Sequence, residues 1–384
     1  MSPDLKHDAE VLYDAARRFA EKEIAPFIHE WDEACTFPRE LYLRAAAAGL
    51  MGLGYPESLG GTPAPHALRN AVSVALSRYC GSGGILASLF SYNIGLPPVL
   101  KYGSAALQQQ VIPPVLRGEK IAALAITEPG GGSDVASLRT TARLEGGEWI
   151  IRGEKTFITS GMRADWLTVA VRTGDAGARG SAGVSMIVVP GDSPGLARTE
   201  LRKMGWWCSD TAQLHFDDVR VPAGNLLGEE GGGFRIIMTN FNGERLAMSA
   251  MALGFAQACY DEALAWSRQR KTFGAALVER QVIRHKLVDM QMRISATQAW
   301  LEAVTVRCDA GDEGNEWVAQ VCMLKNQSTQ TMQFCADQAV QILGGMGFMR
   351  GTRSERIYRE VKVMMIGGGA EEIMKDLAAR QLGL

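Results

Sequence analysis

Three long stretches with helical periodicity fill the C-terminal part of this sequence and limit the folds that it can adopt. They cover residues 243–271, 276–311 and 315–345, with glycine-rich breaks between them. A shorter helical stretch follows, and the connections are short. Long helices joined by short connections pack as antiparallel neighbours. Residues 231–384 are therefore predicted to form a four-helix bundle.

The first part of the chain also predicts helices. Apolar residues recur at helical spacing in 9–28, and Pro38 suits the first turn of a helix. Pro-Pro pairs at 97–98 and 113–114 are predicted to break or kink the helices that contain them. We expect an all-helical N-terminal domain at residues 1–120.

The middle of the chain has a different pattern. Runs rich in Val, Ile, Thr and aromatic residues alternate with turn residues, which is typical of strands. Gly146 and Gly147 separate two such runs and indicate a hairpin. Residues 121–230 are predicted to form a mostly antiparallel β domain, so the fold class is α+β with three domains.

Composition excludes several classes of protein. Lys and Arg number 40, Asp and Glu number 42, and this balance gives no basic surface for nucleic acid. No apolar run reaches the roughly 18 residues of a membrane span. The N-terminus is mixed in charge, so we expect a cytoplasmic protein, although a processed mitochondrial matrix protein would look the same. The seven cysteines and five histidines show no metal-ligand spacing, so no metal site is expected.

Four polar or glycine-rich stretches are candidates for a binding site, at 124–138, 153–161, 204–228 and 270–274. Each also has an ordinary structural interpretation: a turn after a strand, a plain strand, a sheet edge packed on helices, and a basic helix end. The sequence has no G-x-G-x-x-G after a strand, no P-loop and no G-x-S-x-G elbow. A nucleotide-like cofactor would therefore need another kind of site.

The order of these stretches resembles the acyl-CoA dehydrogenase family of flavoproteins. An Ala-x-Thr-Glu-Pro-Gly-x-Gly-Ser-Asp turn is followed by Lys-x-x-Ile-Thr-x-Gly, Ser-Asp-Thr with Phe-x-Asp-Val-x-Val-Pro, Glu-Arg, Arg-Lys-Thr-Phe-Gly and Gln-Ile-Leu-Gly-Gly-x-Gly-Phe. A glycine-rich loop then enters the last helix. The resemblance covers nearly the whole chain and implies the same helix–sheet–helix organisation.

The resemblance implies FAD between the β domain and the bundle. The implied contacts within one subunit are Leu124, Ile126, Thr127, Ser133, Phe157, Ile158, Thr159, Ala370 and Glu372. Those that would reach the FAD of a neighbouring subunit are Arg270, Thr272, Gln281, Gln341, Gly344 and Gly345. The cofactor site then requires at least a dimer, and the family is usually a homotetramer, a dimer of dimers. Most relatives have Trp at the position of Phe157, so an aromatic residue is kept.

The implied reaction is α,β-dehydrogenation of an acyl-CoA thioester. A carboxylate removes the α proton, while the β hydride passes to the flavin. Many relatives carry this carboxylate at the position of Gly368, which has no side chain. A smaller group, resembling the isovaleryl-CoA and long-chain acyl-CoA dehydrogenases, carries it on a bundle helix before an arginine. Glu244 and Arg245 match that pattern, and Glu244 is the only acid between Glu230 and Asp261.

Other roles follow from the same resemblance. Ser133, Asn242, Arg245 and Gly369 would contact the substrate, and the backbone N–H of Gly368 or its neighbour would bind the thioester carbonyl. The missing side chain at Gly368 is expected to leave room near the α carbon. Glu244 could instead be an ordinary acid near a helix start, Arg245 a surface ion pair, and Glu371 or Glu372 the base.

The predicted function is therefore an FAD-dependent acyl-CoA dehydrogenase of fatty acid β-oxidation that passes electrons to an electron-transferring flavoprotein. The position of the base indicates a branched or long acyl chain, with its pocket expected near residues 91–100. Three alternatives stay open: an oxygen-using acyl-CoA or nitroalkane oxidase, a dehydrogenase of carrier-protein-bound acyl groups, and a non-catalytic acyl-CoA-binding protein.

Overall fold

The computed structural model describes residues 2–174 and 180–384. The first part is helical, as predicted. Its helices are α1 (Pro3–Phe19), α2 (Ile28–Glu33), α3 (Glu40–Ala47), α4 (His66–Cys80), α5 (Gly83–Leu89), α6 (Tyr92–Gly95), α7 (Pro97–Tyr102) and α8 (Ala105–Leu116). The Ser2 hydroxyl accepts a hydrogen bond from the Leu5 amide and so caps α1.

The two Pro-Pro pairs affect their helices differently. Pro97 and Pro98 are the first two residues of α7, where a missing N–H interrupts no helical hydrogen bond. Pro113 and Pro114 lie inside α8, which continues to Leu116. The predicted break therefore occurs at the first pair, whereas the second pair lies near the end of a continuous helix.

A seven-stranded sheet forms the middle of the chain. Its strands are β1 (Ala122–Ala125), β2 (Thr141–Glu145), β3 (Glu148–Thr159), β4 (Trp166–Arg172), β5 (Val184–Pro190), β6 (Leu196–Glu200) and β7 (Thr211–Pro222). The order is β1-β4-β2-β3-β7-β6, and β5 also pairs with β4. Most pairs are antiparallel, as predicted, but β1 is parallel to β4 because the chain crosses over through β2 and β3 between them.

Two local features shape β3. The predicted hairpin joins β2 to β3 through Gly146 and Gly147, whose φ angles of 61° and 87° suit a two-residue turn. The register between β3 and β7 then shifts between Lys155 and Ile158. Phe157 lies at this irregularity and has a φ of 59°, a left-handed conformation that is uncommon for a bulky residue.

The C-terminal part contains the predicted long helices. They are α9 (Gly233–Gln269), α10 (Gln281–Asp309) and α11 (Asn315–Leu343), with a small hairpin of β8 (Lys271–Thr272) and β9 (Ala275–Ala276) between α9 and α10. α9 begins at Gly233 rather than at residue 243. Its first turn passes so close to β5 that a side-chain carbon on Gly233 would lie 2.6 Å from the backbone of Ser185.

The fourth helix of the bundle is divided. After α12 (Gly345–Phe348), the chain forms α13 (Arg353–Ile366) and α14 (Glu371–Leu382). The segment between them contains Gly368 and Gly369, whose φ angles are 67° and 112°. These left-handed conformations cannot continue a right-handed helix, so α13 ends and α14 starts again after a bend.

The helical parts share a core, whereas the sheet has a second core between its own side chains. α9 packs against α4 in the first part and against α11 in the bundle. We propose domain limits in the connections 117–121 and 223–232, next to the predicted boundaries at 120 and 230.

Among the described residues, no single helix is long and apolar enough to cross a membrane. One bent pair, Gly83–Leu89 with Tyr92–Tyr102, meets the length and composition criteria when the two helices are taken together.

Candidate active site

Glu244 on α9 is half-buried as a residue, but one oxygen of its carboxylate is buried. Its Oε2 atom is buried and has no hydrogen-bond partner in the described part of the chain. Burial raises the pKa of this carboxyl to about 7, although the positive charges of Arg245 and Lys325 act in the opposite direction. A carboxyl with a pKa near 7 can accept a proton and release it at neutral pH. Glu244 is therefore not an ordinary solvated acid near a helix start.

The segment between α13 and α14 faces this carboxylate. A side-chain carbon on Gly368 would lie 3.9 Å from Glu244 Oε1 and 2.8 Å from Met248 Sδ. The expectation that the missing side chain leaves open room was therefore wrong, because Met248 and Glu244 already fill that space. The Glu244 carboxylate reaches the neighbourhood of residue 368 from another helix.

Arg245 is buried and is not a surface ion pair. It is 5% exposed, and its Nε donates to the carbonyl oxygen of Gly368 at 2.9 Å. Its NH1 group donates to Asn242 Oδ1 at 3.1 Å, and its guanidinium lies 5.5 Å from the ring centroid of Phe241. Arg245 thus fixes both the Gly368 peptide and the Asn242 side chain. Three of the predicted site residues are therefore connected by two hydrogen bonds.

Lys325 on α11 also belongs to this site, although the sequence reasoning did not identify it. Its side chain is fully buried, and Nζ donates to the carbonyl oxygens of Met365 at 2.9 Å and Gly369 at 2.7 Å. Burial lowers the pKa of its ammonium to about 8. The available signal was a lysine directly after the apolar run Cys322–Leu324 in a long helix.

The two glutamates of α14 differ from Glu244. The Glu371 carboxylate accepts hydrogen bonds from Gln330 Nε2 at 2.8 Å and Lys375 Nζ at 2.7 Å, and these contacts hold its pKa below the usual range. Glu372 is exposed, and Ala370, two residues before it, is half-buried. A carboxylate held in this way is a poor proton acceptor at neutral pH, so the geometry favours Glu244 over Glu371.

On the β-domain side, the turn after β1 exposes backbone. Ser133 is exposed, whereas Ile126 is buried and Leu124 and Thr127 are half-buried. Nothing lies within 4 Å of a side-chain carbon added to Gly130. The Thr127 carbonyl accepts a hydrogen bond from the Thr156 amide at 2.8 Å, which ties this turn to β3.

A buried ion pair supports the same turn. Lys155 Nζ lies 2.8 Å from Glu128 Oε1 and donates to the Ile126 carbonyl at 2.9 Å. The other Glu128 contacts are the backbone amides of Arg139 and Thr140, at 2.6 and 2.8 Å. The pair therefore closes the base of the loop that carries Ser133.

Phe157 is 69% exposed although it is a large apolar residue. Its left-handed φ of 59° turns it out of the strand, while Ile158 after it is buried and Thr159 is half-buried. An exposed ring in a strained backbone position costs free energy in the isolated chain. This arrangement offers a flat apolar surface to a bound group.

α6 connects the sheet to α9. Asn240 Nδ2 on α9 donates to the Ile94 carbonyl at 3.1 Å, and Thr168 Oγ1 on β4 donates to the Gly95 carbonyl at 2.7 Å. Asn240 precedes Glu244 by one helical turn, so both side chains lie on the same face of α9. The Glu244 carboxylate therefore lies on the helix face that contacts α6.

The remaining predicted site residues do not join this cluster within one chain. Arg270, Gln281, Gln341, Gly344 and Gly345 are exposed, and Thr272 is half-buried. Two aromatic residues stand out beside them: Phe273 is completely exposed at the tip of the β8–β9 hairpin, and Phe348 is 87% exposed. Such large exposed apolar side chains are found at interaction surfaces.

Comparison with known proteins covers almost the whole chain. Three family models match: acyl-CoA dehydrogenase N-terminal domain at residues 6–119, middle domain at 123–219 and C-terminal domain at 231–383. The mitochondrial short-chain specific acyl-CoA dehydrogenase of Mus musculus is 34% identical over 99% of this chain and 91% of that protein. The mitochondrial long-chain specific enzyme of Rattus norvegicus is also 34% identical, over 98% and 86%. A crystal structure of a probable acyl CoA dehydrogenase from Mycobacterium abscessus is 44% identical, with a TM-score of 0.94 and 100% of both chains covered.

Proposed function

Because this chain belongs to the acyl-CoA dehydrogenase family and is an oxidoreductase of that family, we propose that it oxidises an acyl-CoA thioester to the trans-2-enoyl-CoA. The observation that carries this proposal is the buried Glu244 carboxylate with an unpaired Oε2 beside Gly368. Removal of an α proton requires a base in a water-poor site, where burial brings its pKa to the working pH.

FAD is the proposed cofactor, and the described residues fit a flat, anionic group. The exposed Phe157 ring offers a stacking surface, and the open glycines before Ser133 allow close approach of a ligand. The first turn of α14 follows Ala370, which has no side chain to cap it, so its amides remain for an anion. When bound, FAD accepts the hydride from the β carbon. Leu124, Ile126, Thr127, Ile158, Thr159, Ala370 and Glu372 complete the proposed contacts in one subunit.

Glu244 is the proposed catalytic base. Its Oε2 has no hydrogen-bond partner in the described chain, so this oxygen is available to accept the α proton. Arg245 lies on the other side of the helix turn and donates to Gly368 rather than to Glu244. This separation leaves Glu244 without a strong ion pair, which would have kept its pKa low and weakened it as a base.

The thioester carbonyl is proposed to bind the backbone N–H of Gly368. That N–H has no hydrogen-bond partner in the described chain, and the Gly368 carbonyl is held by Arg245. A donor that is fixed before the reaction stabilises the negative charge that develops on the carbonyl oxygen. Ser133, Asn242 and Gly369 are proposed to position the rest of the acyl-CoA.

A homotetramer built as a dimer of dimers is the proposed assembly. It would bring Arg270, Thr272, Gln281, Gln341, Gly344 and Gly345 of one subunit to the FAD of another. The exposed Phe273 and Phe348 near these residues support a protein contact at this surface. An electron-transferring flavoprotein is the proposed electron acceptor, and fatty acid β-oxidation the proposed pathway. The cytoplasmic location stays a prediction.

We propose a branched or long acyl chain for the substrate. The identity to relatives does not select the chain length, because a short-chain and a long-chain enzyme are both 34% identical to this chain. Butyryl-, octanoyl-, palmitoyl- and isovaleryl-CoA should be compared with a dye acceptor, together with carrier-protein thioesters. Oxygen consumption without the dye would instead indicate an oxidase. A purified protein without a flavin absorption band would contradict the FAD proposal.

Glu244→Gln tests the base. It should abolish turnover while the flavin band and the fold remain, because only the proton acceptor is lost. Glu145→Gln, at the exposed β2–β3 hairpin, is the matched control and should retain activity. Full activity of the Glu244→Gln protein would refute the base assignment.

A further inference from the structure

Lys325 makes an unusual set of contacts for a charged residue. Its side chain is 0% exposed, yet its only hydrogen-bond partners in the described chain are the carbonyl oxygens of Met365 and Gly369. Within residues 2–174 and 180–384, no carboxylate lies within ion-pair distance of its ammonium. Removing an ammonium group from water without an ion pair is costly. An apolar side chain of similar length would avoid this cost but would leave the Met365 and Gly369 carbonyls without this donor, so what Lys325 supplies is a hold on the segment that carries them.

The two carbonyls that Lys325 holds lie on either side of Gly368. Met365 is in the last turn of α13, and Gly369 follows Gly368 in the bend before α14. Arg245 holds the Gly368 carbonyl from α9. Two cations from two different helices therefore fix three carbonyls of one short segment. Since Gly368 and Gly369 are free to adopt many conformations, this clamp selects the one observed.

The charge of Lys325 also faces the proposed base. The charged or titratable groups that act on it are Glu244 and Arg245 on α9, Cys322 on α11 itself and Glu371 on α14. α13 contributes the Met365 carbonyl. Of these groups, Glu371 already binds Gln330 and Lys375. Glu244 is the carboxylate without a hydrogen bond at Oε2, so the field of Lys325 favours its ionised form.

We propose that Lys325 is a positioning residue for the reaction: it holds the Met365–Gly369 segment so that the Gly368 N–H points to the thioester, and its charge favours the ionised form of Glu244. This inference rests on the proposed function, because it assigns a role to Lys325 through Gly368 and Glu244. Lys325 touches neither reactant. It acts on the donor and on the base from the opposite side of the segment.

Two neutral variants test the two parts of the role. Lys325→Met removes both the hydrogen bonds and the charge, whereas Lys325→Gln removes the charge and keeps an amide donor that lies one atom nearer the backbone. With the best substrate of the four acyl-CoA thioesters named above, kcat should fall in Lys325→Met by up to about 100- to 1,000-fold, the range seen for loss of a preorganised donor. The fall should be smaller in Lys325→Gln.

The pH profile gives a readout that a purely structural role would not change. The acidic limb of kcat/KM should move to higher pH in both variants, because loss of a nearby positive charge makes Glu244 harder to ionise. Lys203→Met is the matched control, since Lys203 is a half-buried lysine that donates to the Ser209 carbonyl at 2.6 Å in the β domain. It should leave the acidic limb in place.

Hydrogen exchange of the protein as purified reports on the segment independently of turnover. The amides of Gly367 and Met374, which bond to Val363 and Ala370 carbonyls, should exchange faster in Lys325→Met. An unchanged acidic limb in the variants that fold would overturn the inference, even if exchange is faster. If the unmodified protein oxidises none of the thioesters, the proposed function fails instead, so the two failures can be told apart.

Discussion

Glu244 and Gly368 lie far apart in the sequence but face each other in the fold: a side-chain carbon on Gly368 would be 3.9 Å from Glu244 Oε1. The two residues belong to different elements, the long helix α9 and the bend between α13 and α14. A carboxylate from the helix thus reaches the place where the bend carries only backbone. A proton acceptor and a backbone donor can therefore act on neighbouring atoms of one substrate.

Gly368→Ala should disturb this arrangement in two ways. Alanine in a left-handed conformation costs about 1–2 kcal/mol, and its methyl group would lie 2.8 Å from Met248 Sδ, so that side chain must move. We expect a lower free energy of unfolding in urea and a reduced kcat with dye acceptor.

Gly60→Ala is the control for this prediction. Gly60 has a φ of 81° and nothing within 4 Å of an added side-chain carbon. It should lose a similar amount of stability from backbone strain and keep its kcat. Equal kcat in the two variants would mean that the Gly368 bend is not part of the active site.

The pH dependence of the reaction should follow Glu244. Because burial raises the pKa of this carboxyl to about 7, the base is protonated and inactive below that pH. kcat/KM, which reports the free enzyme, should rise with pH through about 7 and then level. Initial rates measured across this pH range in buffers of constant ionic strength give the pH dependence of kcat/KM. An activity that stays constant between pH 5 and 8 would exclude Glu244 as the base.

The sequence predicted the elements whose signals are local. Local signals are patterns within a short stretch of chain. Examples are the helical spacing of apolar residues in α9, α10 and α11, and the two glycines of the β2–β3 hairpin. The parallel pairing of β1 with β4 has no such signal, because it depends on where the crossover returns. The start of α9 at Gly233 was missed for the same reason, since contact with β5 outweighs the weak helix propensity of glycine.

The site was predictable where one residue type is chemically required. Glu244 is a lone acid in an apolar stretch, and only an acid can be the base. Met248 and Lys325 act through the Gly367–Ala370 bend, which lies far along the chain from both. Their roles depend on tertiary contacts and could not be read from spacing. The exposure of Phe157 likewise depends on a register shift between β3 and β7.

Glu360 on α13 should make stability depend on pH. Its side chain is fully buried, Oε2 accepts from the Gly83 amide at 2.7 Å, and Oε1 has no partner in the described chain. Burial raises the pKa of this carboxyl from 4.5 to about 7. A raised pKa means that the folded state holds the proton more tightly than the unfolded state. The stabilisation is complete below pH 4.5 and is lost as pH rises through 7.

Glu360→Gln should remove that loss, because an amide does not ionise. The difference in free energy of unfolding between Glu360→Gln and the parent protein should grow by about 1–3 kcal/mol from pH 5 to pH 8. Urea titrations at both pH values measure it. Glu119→Gln, at an exposed carboxylate, should show no such growth. The same difference at both pH values would mean that Glu360 ionises normally in the folded protein.

The buried pair Glu128–Lys155 should couple stability to cofactor retention. Lys155 is 0% exposed and Glu128 is 8% exposed, so removing either partner leaves the other buried without its counter-charge. Lys155→Met and Glu128→Gln should each cost about 3–5 kcal/mol. The double variant should cost less than the sum of the two single variants, because neither charge is then left alone.

Both single variants should also lose FAD on gel filtration, since Lys155 holds the Ile126 carbonyl next to Thr127. Urea titration of all four proteins completes the cycle, and additive losses would show that the two charges do not interact.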